Sequence, residues 1–443
     1  MEATQPTIAA PATNRQRDRQ IFGLALPALG ALAAEPLYRL VDTAIVGHLG
    51  VAQLGGLAIA ITLFGSAFWL FNFLSFGTTA RVARLRGAGQ TAAAGKLAMQ
   101  ALWMAVAIGI AMIVVGQLLA APLIQLMGGE GLVAQKAETY LRIALFGSPF
   151  VLVVLAGEGY LRGVQDLITP LKILIVANIA NVVLEVIFVY GFDWDVAGSA
   201  WGTLIAQVGA AAAFVTILVR ASAGQLRPAW REMRSLVVIA YQLIVRTGAL
   251  LLFFNLIVAL LARQSAVELA ANQVILEMFL FLALTLDALA IAAQSIIGNL
   301  LGAGSRAESA AMARRLTLWA FTTGVVLLVV LLVGRNVLPH IFTSSAAVIA
   351  AMSTAWVIFA LQQPINAVVF GWDGVLGGAS DFKFMMLAMV GSSVVASAVA
   401  YELVVREEMG VTGAWLAVSV LIGMRFISCG LRVVRGRWMV LGA

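Results

Sequence analysis

The sequence predicts an all-α polytopic membrane protein of twelve transmembrane helices, arranged as two parallel-repeat six-helix bundles. Three observations predict it. Of 443 residues, 62% are hydrophobic and 11% charged, against about 45–50% and about 25% in soluble domains. Apolar runs that meet the ~20 residues a helix needs to cross hydrocarbon recur along the whole chain. The chain also matches itself when shifted by 215 residues.

Taken in order between charged and Gly/Pro punctuation, the spans run 20–46, 53–77, 97–120, 137–159, 169–191 and 196–220, then 236–261, 268–298, 316–338, 346–371, 384–404 and 411–430. The polar tail 1–19, with Arg15, Arg17 and Arg19 and no apolar core of a signal peptide, reads as an uncleaved cytoplasmic tail. Residues 20–220 form a first lobe of six spans, 221–235 a linker marked by Gly224, Pro228 and three arginines, 236–430 a second lobe, and 431–443 a closing cytoplasmic tail. Assigning alternate loops to opposite sides places twenty of the 28 lysines and arginines with the N-terminus. The positive-inside rule therefore predicts both termini in the cytoplasm.

Under the 215-residue shift Pro149 meets Pro364, Asp166 meets Asp381, Gly87-Ala88-Gly89 meets Gly302-Ala303-Gly304, and Val196-Ala197-Gly198 meets Val411-Thr412-Gly413. Matches among Ala, Gly and Leu are common in this composition, but the Pro and Asp coincidences are not. An even number of spans per half makes the repeats parallel, about an axis normal to the membrane. Two such lobes enclose a cleft suited to alternating access.

Composition also excludes functions. The net charge of +7 resides in loops, so it argues for orientation and against a nucleic-acid partner. One cysteine, Cys429, and two histidines, His48 and His340, leave no thiolate cluster, His-based metal centre or common nucleophilic set. No phosphate-binding P-loop motif occurs. The expectation is a carrier, not an enzyme, with no metal or organic cofactor.

Charge inside a span is costly and faces a cavity or a partner. The first span carries Glu35, Arg39 and Asp42 on one helical stripe, either a ladder that eases insertion or a proton- or cation-binding group centred on Asp42. Asn178, Asn181 and Glu185 share a face of the fifth span, at a depth similar to Asp42. Two carboxylates meeting there would form a coupled pair; an interhelical clamp by the asparagines is the alternative. In the second lobe, Arg246, Asn255, Glu277 and Asp287 are candidate cavity residues, Arg246 and Asp287 being an expected ion pair. Phe253, Phe254, Phe279 and Phe281 interleave with them, as packing or as cation–π surface. Glu158 and Asp373 coincide under the shift, at the cytoplasmic ends of their spans, where pairing with loop arginines would hold an inner gate or merely cap the surface.

Glu35-Pro36-Leu37-Tyr38-Arg39-Leu40-Val41-Asp42-Thr43-Ala44-Ile45-Val46-Gly47-His48-Leu49-Gly50 resembles the first-helix signature of the multidrug and toxic compound extrusion (MATE) transporters. Phe71-Asn72-Phe73-Leu74-Ser75-Phe76-Gly77-Thr78-Thr79-Ala80 and Leu286-Asp287-Ala288-Leu289-Ala290-Ile291-Ala292-Ala293-Gln294 are similar to the DinF (DNA-damage-inducible F) branch. Leu161-Arg162-Gly163 and Asn181-Val182-Val183-Leu184-Glu185 also match family patterns. The resemblance implies a V-shaped pair of lobes and cation-coupled antiport of drugs or metabolites. Asp42 matches the family's coupling carboxylate, and Asn178, Asn181 and Glu185 match its polar fifth-helix cluster, where Asp commonly stands at position 185. Sodium-coupled relatives tend to carry acids on helices seven and ten. Here the seventh has none and the interior of the tenth offers Gln362, Gln363 and Asn366, which favours protons.

The expected function is export of amphipathic, cationic organic compounds in exchange for protons. The protein would work as a monomer in a bacterial inner membrane, with small organic substrates and the lipid bilayer as its partners. Efflux of an organic anion such as citrate, anchored on Arg246 and Arg39, and flipping of a lipid-linked precursor are the alternatives.

Overall fold

The computed structural model describes residues 13–442, apart from the side chains of Glu35, Ala67, Trp69 and Arg231. The first twelve residues of the expected tail 1–19 therefore lie outside the described residues. The chain runs α1 (Asn14–Gly47), α2 (Val51–Phe71), α3 (Phe73–Gly87), α4 (Thr91–Leu126), α5 (Gly131–Leu145), α6 (Ser148–Gly163), α7 (Ile168–Val186) and α8 (Asp195–Ala221). It continues α9 (Trp230–Ala262), α10 (Ala266–Gly302), α11 (Arg306–Val333), α12 (Leu338–Phe342), α13 (Ala346–Leu361), α14 (Gln363–Gly378), α15 (Phe382–Tyr401) and α16 (Gly410–Val434). No strand occurs among the described residues.

Among the described residues nine helices are long and apolar enough to cross a membrane, and two bent pairs, α5–α6 and α13–α14, bring the number to eleven. The remaining expected span, 53–77, is α2 and α3, whose helix is interrupted at Asn72. The expected linker is shorter than 221–235, because α9 already begins at Trp230.

The duplication extends to details. Ser148–Gly163 and Gln363–Gly378 are the same helix in the two repeats, and the π-helical turn Ile187–Gly191 has its counterpart in Glu402–Arg406. Both bent pairs turn by 50°, and Pro149 and Pro364 open the second helix of each. Proline is tolerated in a first turn but has no N–H to continue the preceding helix, so the matched prolines account for the matched bends. Gly89 (φ +74°) and Gly304 (φ +75°) take the same left-handed turn after α3 and α10, a conformation that strains residues with a Cβ.

Buried apolar side chains form three cores. One, at the face bearing the described termini, draws Ile21, Phe73, Val82 and Leu152 from the first lobe, and Ile239, Ile296, Leu316 and Trp438 from the second. Another belongs to the second lobe alone, and the third to the first lobe alone. The lobes thus share a core at one end and keep separate cores at the other, the arrangement of a V.

Candidate functional site

The site is assembled from α1, α5, α7 and α8. Gly202 lets α8 approach α7, since a Cβ there would lie 3.1 Å from the Glu185 backbone nitrogen. Gly198 does the same against Phe188 and Val189, in the π-helical turn that follows Glu185. This close approach buries Asp42 (1% exposed) and Glu185 (0% exposed) together.

Asp42 Oδ1 accepts a hydrogen bond from Ser199 Oγ at 2.7 Å, while Oδ2 is buried without a partner. Glu185 lies within reach of Asp42 and Ser199, yet neither of its oxygens has an aligned hydrogen bond. Asn181 Nδ2 donates to Thr203 Oγ1 at 3.0 Å, and Thr203 Oγ1 also meets Tyr38 Oη at 2.8 Å. Tyr140 is buried beside Asp42, Glu185, Ser199 and Thr203. Asn178 Nδ2 donates to the Ala34 carbonyl at 3.2 Å and so ties α7 to α1. The arrangement is two carboxylates in a ring of hydroxyls and amides. Carboxyl groups among such neighbours are chemically able to exchange a proton.

Of the residues expected here, Asp42, Asn181 and Glu185 share the pocket, and Asn178 flanks it. Arg39 is exposed, its guanidinium near Gly65 on α2, and the side chain of Glu35 lies outside the described residues. Tyr38, Tyr140, Ser199 and Thr203 were not foreseen. Tyr38 stands one turn before Asp42, and Ser199 and Thr203 are one turn apart, each following a glycine. That spacing was the available signal.

The second lobe is organised differently from the expectation. Arg246 pairs with Asp373, not Asp287: its Nη2 donates to Asp373 Oδ2 at 2.6 Å. Arg425 Nη2 donates to the same oxygen, so Asp373 binds the seventh and twelfth spans together through arginines that lie within helices, not loops. Glu158 pairs with Arg162, one turn along its own helix, at 2.6 Å. Asn255 is exposed and its Nδ2 donates to the Leu251 carbonyl; Glu277 is exposed and accepts from Gln273 of its own helix at 2.8 Å. Asp287 is partly buried near Arg246, Arg425 and Arg162. Phe279, Phe359 and Trp415 pack edge to face in the lobe's interior, with Phe254 tilted against Phe279, and Phe281 is 66% exposed.

A duplicated helical V with a polar carboxylate pocket buried in one arm has the build of a membrane transporter. The chain belongs to the MatE family, whose model matches residues 27–187 and 243–401, one stretch in each repeat. It is similar to DNA damage-inducible protein F of Escherichia coli (strain K12), at 31% identity over 431 residues, 93% of this chain and 91% of that one. Protein DETOXIFICATION 44, chloroplastic, of Arabidopsis thaliana is 29% identical over 446 residues, 95% of this chain and 81% of the relative. Among solved structures, the Vibrio cholerae MATE transporter VcmN in its bent form superposes with a TM-score of 0.88 at 18% identity, over 96% of this chain and 97% of that one. A MATE protein in the bent conformation gives 0.83 at 18% identity, over 96% and 95% of the two chains. This protein is thus an integral membrane transporter of the multidrug and toxin efflux family, not an enzyme.

Proposed function

We propose that the protein is a proton-driven antiporter that exports amphipathic, cationic organic compounds across a bacterial inner membrane, with both termini in the cytoplasm and one chain as the working unit. The observation that carries this reading is the pairing of Asp42 with Glu185 in a buried pocket of hydroxyls and amides. Two carboxylates so placed repel one another, and a proton held between them removes the repulsion. Release of that proton restores the repulsion and separates α1 from α7 and α8, which is a means of reshaping one arm of the cleft. Binding of a cationic substrate and of the proton then oppose each other, and by linkage each weakens the other by the same factor.

Protons are favoured over sodium because the interior of the tenth span supplies the buried amides Gln362, Gln363 and Asn366, where sodium-coupled relatives tend to carry acid. A cationic substrate is favoured over an organic anion because Arg246 is already committed to Asp373 and Arg39 stands outside the pocket. The experiment uses proteoliposomes under an imposed ΔpH or ΔNa⁺, with a panel of cationic dyes and organic anions. Dye export driven by ΔpH and lost in Asp42→Asn, with the variant still folded in the membrane, is the expected result. Export driven by ΔNa⁺ alone, or undiminished coupling in Asp42→Asn, overturns it.

A further inference from the structure

Arg84 lies near the end of α3 and is 7% exposed. Among the described residues its hydrogen-bond acceptors are backbone carbonyls. Nε and Nη2 donate to Gly442 at 2.9 and 2.7 Å, Nη2 also to Val440 at 2.6 Å, and Nη1 to Ala379 at 2.9 Å. Arg84 belongs to the first lobe, and all three acceptors belong to the second.

Two of the acceptors lie on the segment that follows α16. The chain turns at Gly436 (φ +65°) and buries Trp438 (2% exposed) in the shared core. It reaches α10, where the Gly442 N–H donates to the Leu301 carbonyl at 3.1 Å. Within the expected tail 431–443, residues 435–442 thus form a strap anchored by Trp438 and Gly442, with Arg435, Arg437, Val440 and Leu441 exposed. Its counterpart in the first repeat is the interlobe linker, which docks on its own lobe instead: Trp103 Nε1 donates to Leu226 O, and Gln100 Nε2 to Arg227 O. The counterpart of Arg84 is Asn299. Both halves of this contact are thus specific to one repeat and do not come from the duplication.

We propose that residues 435–442 form a latch that bolts the lobes together at the terminal face through Arg84, and that it releases when that face opens. The proposal rests on alternating access as described above. Opening the lobes there separates Arg84 from all of its acceptors at once and uncovers Trp438. Because the acceptors are neutral carbonyls, the latch is built to resist both salt and pH. The neighbouring interlobe pairs Arg17–Glu308 and Arg315–Asp18, at 2.7 and 2.6 Å, are charge pairs and are open to screening. The latch thereby biases the resting molecule toward closure of this face, whatever the gradient.

The test uses full-length protein with Cys429→Ala and spin labels at Lys172→Cys and Lys383→Cys, exposed positions that open α7 and α15, one in each lobe. Arg84→Ala, and separately truncation after Arg435, should raise the open-to-closed ratio in the distance distribution about tenfold, the net loss of charge-assisted hydrogen bonds whose groups water solvates again in the open state. The double variant should fall short of the product of the two single effects, because both remove the Arg84 bonds to Val440 and Gly442, and Arg84→Lys, with a single point of donation, should fall between wild type and Arg84→Ala. An unchanged distribution, or additive effects in the double variant, overturns the proposal. Hydrogen exchange of the unaltered protein gives a reading free of any folding defect. The Gly442 amide should be protected like those of α16, and exchange at the rate of an open loop would count against the latch. Neither measurement involves substrate or coupling ion, so a sodium-driven carrier could carry the latch and a proton-driven one could lack it.

Discussion

Asp42 and Ile257 occupy the same place in the two repeats, and both are 1% exposed. The correspondence holds around the whole pocket. Tyr38, Tyr140, Asn181, Glu185, Ser199 and Thr203 map onto Phe253, Ala355, Ala396, Ala400, Ala414 and Val418, every one a buried member of the second lobe's own core. The π-helical turn beside Glu185 recurs at Glu402–Arg406, so that turn belongs to the fold, while the carboxylates belong to the first repeat. At these matched positions the first lobe carries polar groups and the second carries apolar ones. Ile257→Asp should therefore lower stability by about 3 kcal/mol, through lost packing and an unpartnered buried carboxyl, and leave the number of protons moved per substrate unchanged. Ile257→Val should cost about 1 kcal/mol. Thermal unfolding in detergent reads both; an unshifted midpoint for Ile257→Asp would mean that the second lobe is wet at that level.

Ser199 Oγ is the donor to Asp42, at 2.7 Å. A hydrogen bond given to a carboxylate stabilises its ionised form, by about 1.5–3 kcal/mol. Ser199→Ala leaves that buried oxygen without its donor, a loss of the same order. ΔpH-driven efflux in proteoliposomes should fall about tenfold, while Ser199→Thr, which keeps the hydroxyl, should retain it. Equal efflux for wild type and Ser199→Ala would exclude this hydrogen bond from the coupling site.

Asp373 carries two arginines on one oxygen. Losing Arg246 leaves the Arg425 pair intact, whereas losing the carboxylate leaves two guanidiniums facing each other with little access to water. Asp373→Asn should thus destabilise by about 3 kcal/mol, the scale of a broken buried pair, and Arg246→Gln by less than half of that. In the double variant the damage should be smaller than the sum, because the two sites share a partner. Equal and additive losses would show that the three side chains act separately.

How far the sequence could be read depends on how rare each signal is in an apolar chain. The spans and the repeat were legible because run length is a local property and Pro149 and Pro364 are uncommon residues at matched positions; the bends at those prolines were not read from them. Asp42 and Glu185 were legible because a carboxylate inside hydrocarbon is expensive. Ser199 and Thr203 were not, because hydroxyl residues are cheap in membrane helices and only the packing of α8 brings Ser199 to Asp42 and Thr203 to Asn181 and Tyr38. Arg246 was assigned to Asp287 by depth alone, but a long guanidinium side chain reaches across helices, and Asp373 on α14 was within that reach. Arg39 shows the converse: helical spacing put it on a promising stripe, and Asn255 was a candidate as a polar residue within a span, while both observed positions are exposed. The strap was illegible because it lies past the last apolar run, and its buried tryptophan, Trp438, has no periodic companion.

Gly87 and Gly302 supply the last expectation. They are repeat counterparts, and each faces the other repeat's backbone. A Cβ on Gly87 would overlap the carbonyl of Asn299, and a Cβ on Gly302 would overlap the carbonyl of Arg84, itself the counterpart of Asn299. The pseudo-two-fold axis therefore passes between two glycines at the terminal face, where α3 and α10 touch backbone to backbone. Neither contact can be relieved by rotating a side chain, so the lobes themselves must shift. Gly87→Ala and Gly302→Ala should each push this face open, by similar amounts, with a longer distance between labels on Lys172→Cys and Lys383→Cys and a slower transport cycle. Gly304→Ala is the control. Its Cβ would meet nothing within 4 Å, so its left-handed turn costs local backbone strain without touching the opposite lobe. If Gly304→Ala opened the face as widely as Gly302→Ala, the effect would come from the turn and not from the meeting of the lobes.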